Sequence, residues 1–208
     1  MTHAHAADAA GFWALTAMWF GMMAAMMAPT AWPWVRSVHR LSGSTDSSRA
    51  AIAGQFAAGY LVAWFAYSIA AALLQLTLRE AGVVDPIAGM TSWAGAGVLG
   101  GAGLYQFAPL KHACVTHCRS PLGYFLARWR NGPSAGFRMG LDHGLYCVGC
   151  CWALMTTALA VGVMNLWWMA ALGVIALIEQ VAPHGHTVRR AVGAALLAAA
   201  VWRFSIGR

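Results

Sequence analysis

Apolar positions run along this chain in long unbroken blocks, at about 12–34, 51–78, 90–110, 143–161, 165–182 and 190–204, separated by short polar stretches. A helix needs about 20 apolar residues, with roughly 17–25 tolerated, to cross a bilayer. The first two blocks meet that length comfortably, and the last two are short. Lipid leaves no partner for free backbone groups, so segments of this kind must be helical. The pattern predicts an all-α, polytopic membrane helical bundle with about six transmembrane helices, in a single integral membrane domain over 1–208. The third block carries Gly89, Gly95, Gly97, Gly100, Gly101 and Gly103, a composition suited to close helix contact. Gly162–Asn165 reads as a tight turn, and "SGSTDSS" at 42–48 as a flexible loop.

Composition strengthens this picture. Hydrophobic residues make up 60% of the 208 and charged residues only 9%, far below the quarter or so of a soluble domain. Eleven Trp and 23 Gly fit helices that anchor at interfaces and pack closely. The N-terminal "MTHAHAADAAGFW" has no basic region ahead of its apolar run, so a permanent helix is expected there, not a cleaved signal.

Charge then gives a side. Arg36, Arg40 and Arg49 follow the first block; Lys111, Arg119, Arg128, Arg130 and Arg138 follow the third; Arg189 and Arg190 follow the fifth. These are 10 of the 13 positive residues, and they fall on one side of an alternating six-span path. The positive-inside rule makes that side cytoplasmic, with 111–140 a cytoplasmic loop and both termini outside. The expected location is the cell inner membrane, multi-pass, with both termini periplasmic. Within the loop, "PLGYFLARWRNG" has the mix of apolar and basic residues of a helix lying on the membrane surface. The net charge of +7 is spread between apolar runs, so no nucleic-acid partner is expected. The expected partners are membrane lipid and either a larger membrane protein complex or further copies of the chain.

The candidate chemistry gathers on that same side. All five cysteines lie there, with no framework spacing for disulfides. Cys114 and Cys118 are four apart, with His112 and His117 close by; on a helix they share a face. Cys147, Cys150 and Cys151 share one helical face in "GLYCVGCCWALM", within the first two turns expected for the fourth span. Asp142 and His143 stand one turn earlier as a hard ligand or proton acceptor. Met18, Met22, Met23, Met26 and Met27 form two thioether stripes on the first span. His184 and His186, with Glu179 one turn back, offer a further chelating pair; Glu179 is expected to meet Arg189, Arg190 or water.

Thiolate and thioether sulfur prefer Cu(I), with zinc the alternative where imidazole shares the site. The candidate metal ligands are therefore Cys114, Cys118, Cys147, Cys150, Cys151, His117, His143 and Asp142, with Met22, Met23, Met26 and Met27 as an access or secondary site. The same residues have plainer roles open to them, since buried Cys and Met also serve as ordinary packing. A second chemistry also stays open. Cys147–Cys150 is a CxxC pair, and a membrane thiol–disulfide oxidoreductase would use it as the couple with Cys114–Cys118 as relay. A metalloenzyme subunit is a third. No P-loop appears, so ATP does not drive any of these.

The runs "AGLYQFAPLKHACVTHCRSP", "GLDHGLYCVGCCWALM" and "GVMNLWWMAALGVIALIEQ", with "WFGMMAAMMAPTAWP" in the first block, resemble the predicted metal-binding integral membrane proteins of domain of unknown function 2182. The resemblance spans nearly the whole chain and implies metal binding in a membrane bundle. It assigns no reaction.

Overall fold

The computed structural model describes residues 2–42, 45–85, 89–130, 132–162, 165–183 and 185–206. Among these residues it is all-α apart from one hairpin of two two-residue strands. The order is α1 (Thr2–Leu41), α2 (Asp46–Glu80), β1 (Val84–Asp85), β2 (Gly89–Met90), α3 (Ser92–Tyr105), α4 (Pro109–Cys118), α5 (Pro121–Arg128), α6 (Ala135–Val161), α7 (Leu166–Val181) and α8 (Gly185–Ile206). β1 and β2 pair antiparallel, Val84 with Met90 and Asp85 with Gly89. Among the described residues, three helices are long and apolar enough to cross a membrane: Gly11–Leu41, Ser47–Glu80 and Ala135–Val161.

Several helices depart from the sequence expectation. α1 continues through Pro29 and Pro33. Proline removes a helical hydrogen bond and normally kinks or ends the helix. Here the segment beyond is held by a buried cluster of Trp34, Val38, Phe56, Tyr124, Phe125 and Met139. The third helix is shorter than its apolar block, since Tyr105 ends it and Pro109 opens α4 as its first residue. The 111–140 segment is largely helical: it holds most of α4, all of α5, which falls where a helix is expected in "PLGYFLARWRNG", and the start of α6. α6 begins at Ala135, eight residues before the apolar block at 143. The cysteine trio therefore stands near the middle of that helix and not in its first two turns. Caps explain two other boundaries. Thr45 and Ser48 form a reciprocal capping box at the start of α2, and the Asn165 side chain accepts from the Trp168 amide at the start of α7. Of the expected 42–48 loop, residues 43–44 lie outside the described residues, and α2 already begins at Asp46.

The packing that places the site is the α2–α6 seam. Gly136, Gly140 and Gly144 recur every four residues along one face of α6. A Cβ on Gly140 would lie 2.0 Å from the Phe56 carbonyl oxygen, and one on Gly136 would lie 2.6 Å from that of Ile52. Gly59 answers from α2, where a Cβ would fall 2.1 Å from the Phe137 oxygen. Backbone therefore meets backbone, the close approach that small residues at four-residue spacing permit. The two helices run parallel, with 56 beside 140 and 60 beside 144, and that register carries Tyr60 to Cys147. A second seam joins α3 to α8 antiparallel through Gly103 and Gly193, and Arg203 closes its far end by donating to the Met90 carbonyl at 2.6 Å. α1 packs on α2 and α7, and touches α6 through Trp34, whose ring stacks 3.7 Å from that of His143.

Candidate metal centre

Positions 147, 150 and 151 fall on one face of α6 because i, i+3 and i+4 share a helical face. The three sulfurs lie within 4.8 Å of one another, the only such group of three or more His, Cys, Asp or Glu ligand atoms among the described residues. Cys147, Cys150 and Cys151 are at most 2% exposed. The Cys150 and Cys151 sulfurs are 3.3 Å apart, and Cys150 donates to the Cys147 carbonyl at 3.1 Å. All five cysteines carry free thiols.

Polar side chains from other helices point at this cluster. Gln180 of α7 places its amide nitrogen 3.3 Å from the Cys151 sulfur, 3.7 Å from Cys150 and 3.9 Å from Cys147. Tyr60 of α2 puts its hydroxyl 3.3 Å from the Cys147 sulfur. Behind them, Lys111 of α4 and Glu179 of α7 form an ion pair of 2.7 Å with both side chains buried. Glu179 thus meets Lys111, not the Arg189 or Arg190 expected from sequence. An α4 helix carrying Lys111, Cys114 and Cys118 on its buried face locks onto α6 and α7 at this level.

Cys118 lies near enough to the trio for its thiol to be influenced by those of Cys147 and Cys150, though it stands outside the group of three mutually close sulfurs. Its pKa is pushed well above the ordinary thiol value, first by hydrogen bonding with Cys147 and further by burial. Cys114 sits against α6 at Gly149, where an added Cβ would come within 3.2 Å of its sulfur. Burial raises its pKa as well. The two cysteines thus lie along the same helix as the trio, but only Cys118 approaches the sulfurs.

The other expected ligands divide. His143 is 1% exposed, stacked on Trp34, with Nδ1 buried and unpartnered one turn before Cys147. His117 stacks on Tyr146 at 3.8 Å, and its Nε2 is also buried without a partner. Burial and the nearby Arg128 lower the His117 pKa, which keeps the ring neutral at pH 7. Asp142 faces away: it pairs with Arg130 at 3.3 Å on the surface. The methionine stripes also part. Met23 and Met27 are fully buried in the same core as the trio, and the Thr30 hydroxyl stands 4.0 Å from the Met27 sulfur. Met22 and Met26 instead line a groove between α1 and α7. Of the expected histidine pair, His184 lies outside the described residues and His186 is exposed.

Sequence reasoning missed Gln180, Tyr60 and the partner of Glu179. Gln180 carried a signal, since an amide at the end of an apolar block needs partners there. Tyr60 carried none, because its contact depends on the α2–α6 register.

Three thiols that converge in an apolar, buried setting, capped by one neutral amide, fit a soft monovalent ion better than a hard divalent one. A tetrahedral zinc site needs a fourth protein ligand, and Cys118 is the residue placed to give one. The chain matches no curated protein and no solved structure. It does match one family, described as PpoB2, copper chaperone, over residues 16–203. That span takes in the thiol trio, Cys118, Gln180 and the methionine stripes, and the chain belongs to this family of copper chaperones.

Proposed function

We propose that the protein is a multi-pass membrane copper chaperone that holds one Cu(I) on the thiolates of Cys147, Cys150 and Cys151. The observation that carries this reading is the convergence of three buried sulfurs within 4.8 Å. Cys118 lies close enough to follow the ion as it leaves or arrives. Gln180 orients the sulfurs and offers an N–H to thiolate charge, in the way that outer hydrogen-bond donors tune metal ligands. The buried Lys111–Glu179 pair braces α4 against α7 beneath the site.

The membrane reading rests on the three long apolar helices and on what they expose. Trp167 is 88% exposed, Leu166 80% and Trp202 67%, side chains that water does not favour and lipid does. With α3, α7 and α8 as shorter companions, there are six spans. The thiols sit near the middle of α6, with Cys118 of α4 approaching from the side rich in Lys and Arg, where α4 and α5 lie outside the bilayer. That side is the cytoplasmic one by the positive-inside rule. The ion passes to an acceptor protein in the same membrane or to a partner in a larger complex. Burial of the trio speaks against the thiol–disulfide alternative, which needs a sulfur that a protein substrate can reach.

The test is a Cu(I) competition on protein reconstituted in a bilayer. The chain is expected to keep about one Cu(I) in millimolar glutathione and to yield it to bathocuproine disulfonate. Loss of all copper to glutathione would contradict the reading. In the same assay Gln180→Leu, similar in size but without the donor, is expected to weaken Cu(I) retention roughly 10- to 100-fold. Unchanged retention would remove Gln180 from the site.

A further inference from the structure

Met18, Met22 and Met26 form a stripe at four-residue spacing on α1, and each is only partly buried. They line one side of a groove of about 620 Å³ between α1 and α7. Met169, Gly173 and Leu177 line the other side. The lining carries no charged side chain, hydroxyl or amide, so the thioethers are its only side-chain donors. Packing alone does not account for them. Met23 and Met27 are close-packed at 0% exposed, whereas Met18, Met22 and Met26 are only partly buried and border the groove; Met169, itself buried, meets it from the core side. Gly173 faces Met26 across that space, where an added Cβ would stand 3.5 Å away in ordinary contact.

The groove also runs toward the thiols. It extends from Met18 and Leu166 down to Pro29 and Leu177, about 16 Å at the helical rise of 1.5 Å per residue. Gln180, which touches all three trio sulfurs, is one turn beyond Leu177 on the same helix. From α1, Thr30 follows Pro29 and its side chain meets Tyr60, whose hydroxyl contacts Cys147. The α7 wall therefore ends one turn before a residue that touches the trio, and the α1 wall reaches the trio at one remove, through Tyr60.

We propose that this groove is a second soft-metal site, where the thioethers of Met18, Met22, Met26 and Met169 bind Cu(I) more weakly than the trio, its inner end at Leu177 one helical turn from Gln180. The choice of ion rests on the copper reading above; the donor set is independent of it. Neutral thioethers take up a monovalent soft cation without releasing a proton, so the ion is exchanged between sulfurs with no change in oxidation state. Such a site suits loading and unloading of a thiolate site that no large ligand can reach.

The test uses Ag(I), a redox-inert counterpart of Cu(I), on bilayer-reconstituted protein with methyl-13C methionine, and follows the methyl resonances. Single Met→Leu variants assign the 11 signals. In the wild type the four groove methyls are expected to stay still through the first equivalent and shift together with the second. In the C147S/C150S/C151S protein they are expected to shift with the first. Groove methyls that stay still in both proteins, while the thiols of the wild type take up silver, overturn the site and leave the trio reading intact. Methyls that stay still and show contacts to lipid acyl protons overturn it too, and make the groove a lipid cleft. Groove methyls that shift with the first equivalent in both proteins uphold the groove and count against the trio.

Discussion

Gly140→Ala is expected to pull α2 and α6 apart and to cost about 3 kcal/mol or more, the upper range for overpacking a rigid contact. The added methyl would lie 2.0 Å from the Phe56 carbonyl oxygen, 2.7 Å from its carbonyl carbon and 2.8 Å from its α carbon. None of these atoms belongs to a flexible side chain, so relief requires moving a whole helix. A shift at this level breaks the Tyr60–Cys147 contact of 3.3 Å, because residue 60 is one turn along from residue 56. Thermal unfolding in detergent, followed by circular dichroism, reads the stability change. Gly101→Ala is the control. Nothing lies within 4 Å of its added Cβ, and alanine favours a helix over glycine by roughly 0.5–1 kcal/mol. G101A should melt at or above the wild type; a G140A protein that does the same would show that the seam is looser than described.

Replacing the trio by serine is expected to abolish copper binding while the bundle stays folded. Serine is close to cysteine in size, and each new hydroxyl has a helical carbonyl to donate to, as Cys150 donates to the Cys147 carbonyl at 3.1 Å. What changes is the chemistry of the donor: a hard, neutral hydroxyl has little affinity for Cu(I) where thiolate sulfur has much. Each single change, Cys147→Ser, Cys150→Ser or Cys151→Ser, should weaken retention by more than about 100-fold, beyond what loss of an outer hydrogen bond does. Asp142→Asn should leave retention unchanged, because Asp142 is engaged with Arg130 on the surface.

Much of this was legible in the sequence, for physical reasons. Helix was forced by the long apolar blocks, and the one-face placement of the trio by spacing alone. What failed did so where tertiary contacts overrode local signals. α1 ran beyond the expected end at 34 to Leu41, because Trp34 and Val38 are buried against α2, α5 and α6. α6 begins at Ala135 because Gly136 and Gly140 pack on α2. Spacing of apolar residues does not weigh glycine as a contact, so the seam escaped a reading based on hydrophobic blocks. Asp142 shared a helix turn with His143 but not its face: His143 is four residues before Cys147 and Asp142 five, and only the former spacing shares a helical face. Charge pairing at Glu179 went astray for a similar reason. Lys111 lies 68 positions away in sequence but 2.7 Å away in the fold, whereas Arg189 was merely near in the chain.

The copper reading stands most directly on the metal content of purified protein, measured by elemental analysis after Cu(I) loading under reducing conditions. The wild type is compared with the C147S/C150S/C151S protein, each reconstituted in bilayers and washed with glutathione. About one copper per chain in the wild type, lost in the triple variant while its circular dichroism is unchanged, is the predicted result. Copper retained by the triple variant, zinc in place of copper, or no metal in the wild type would contradict it.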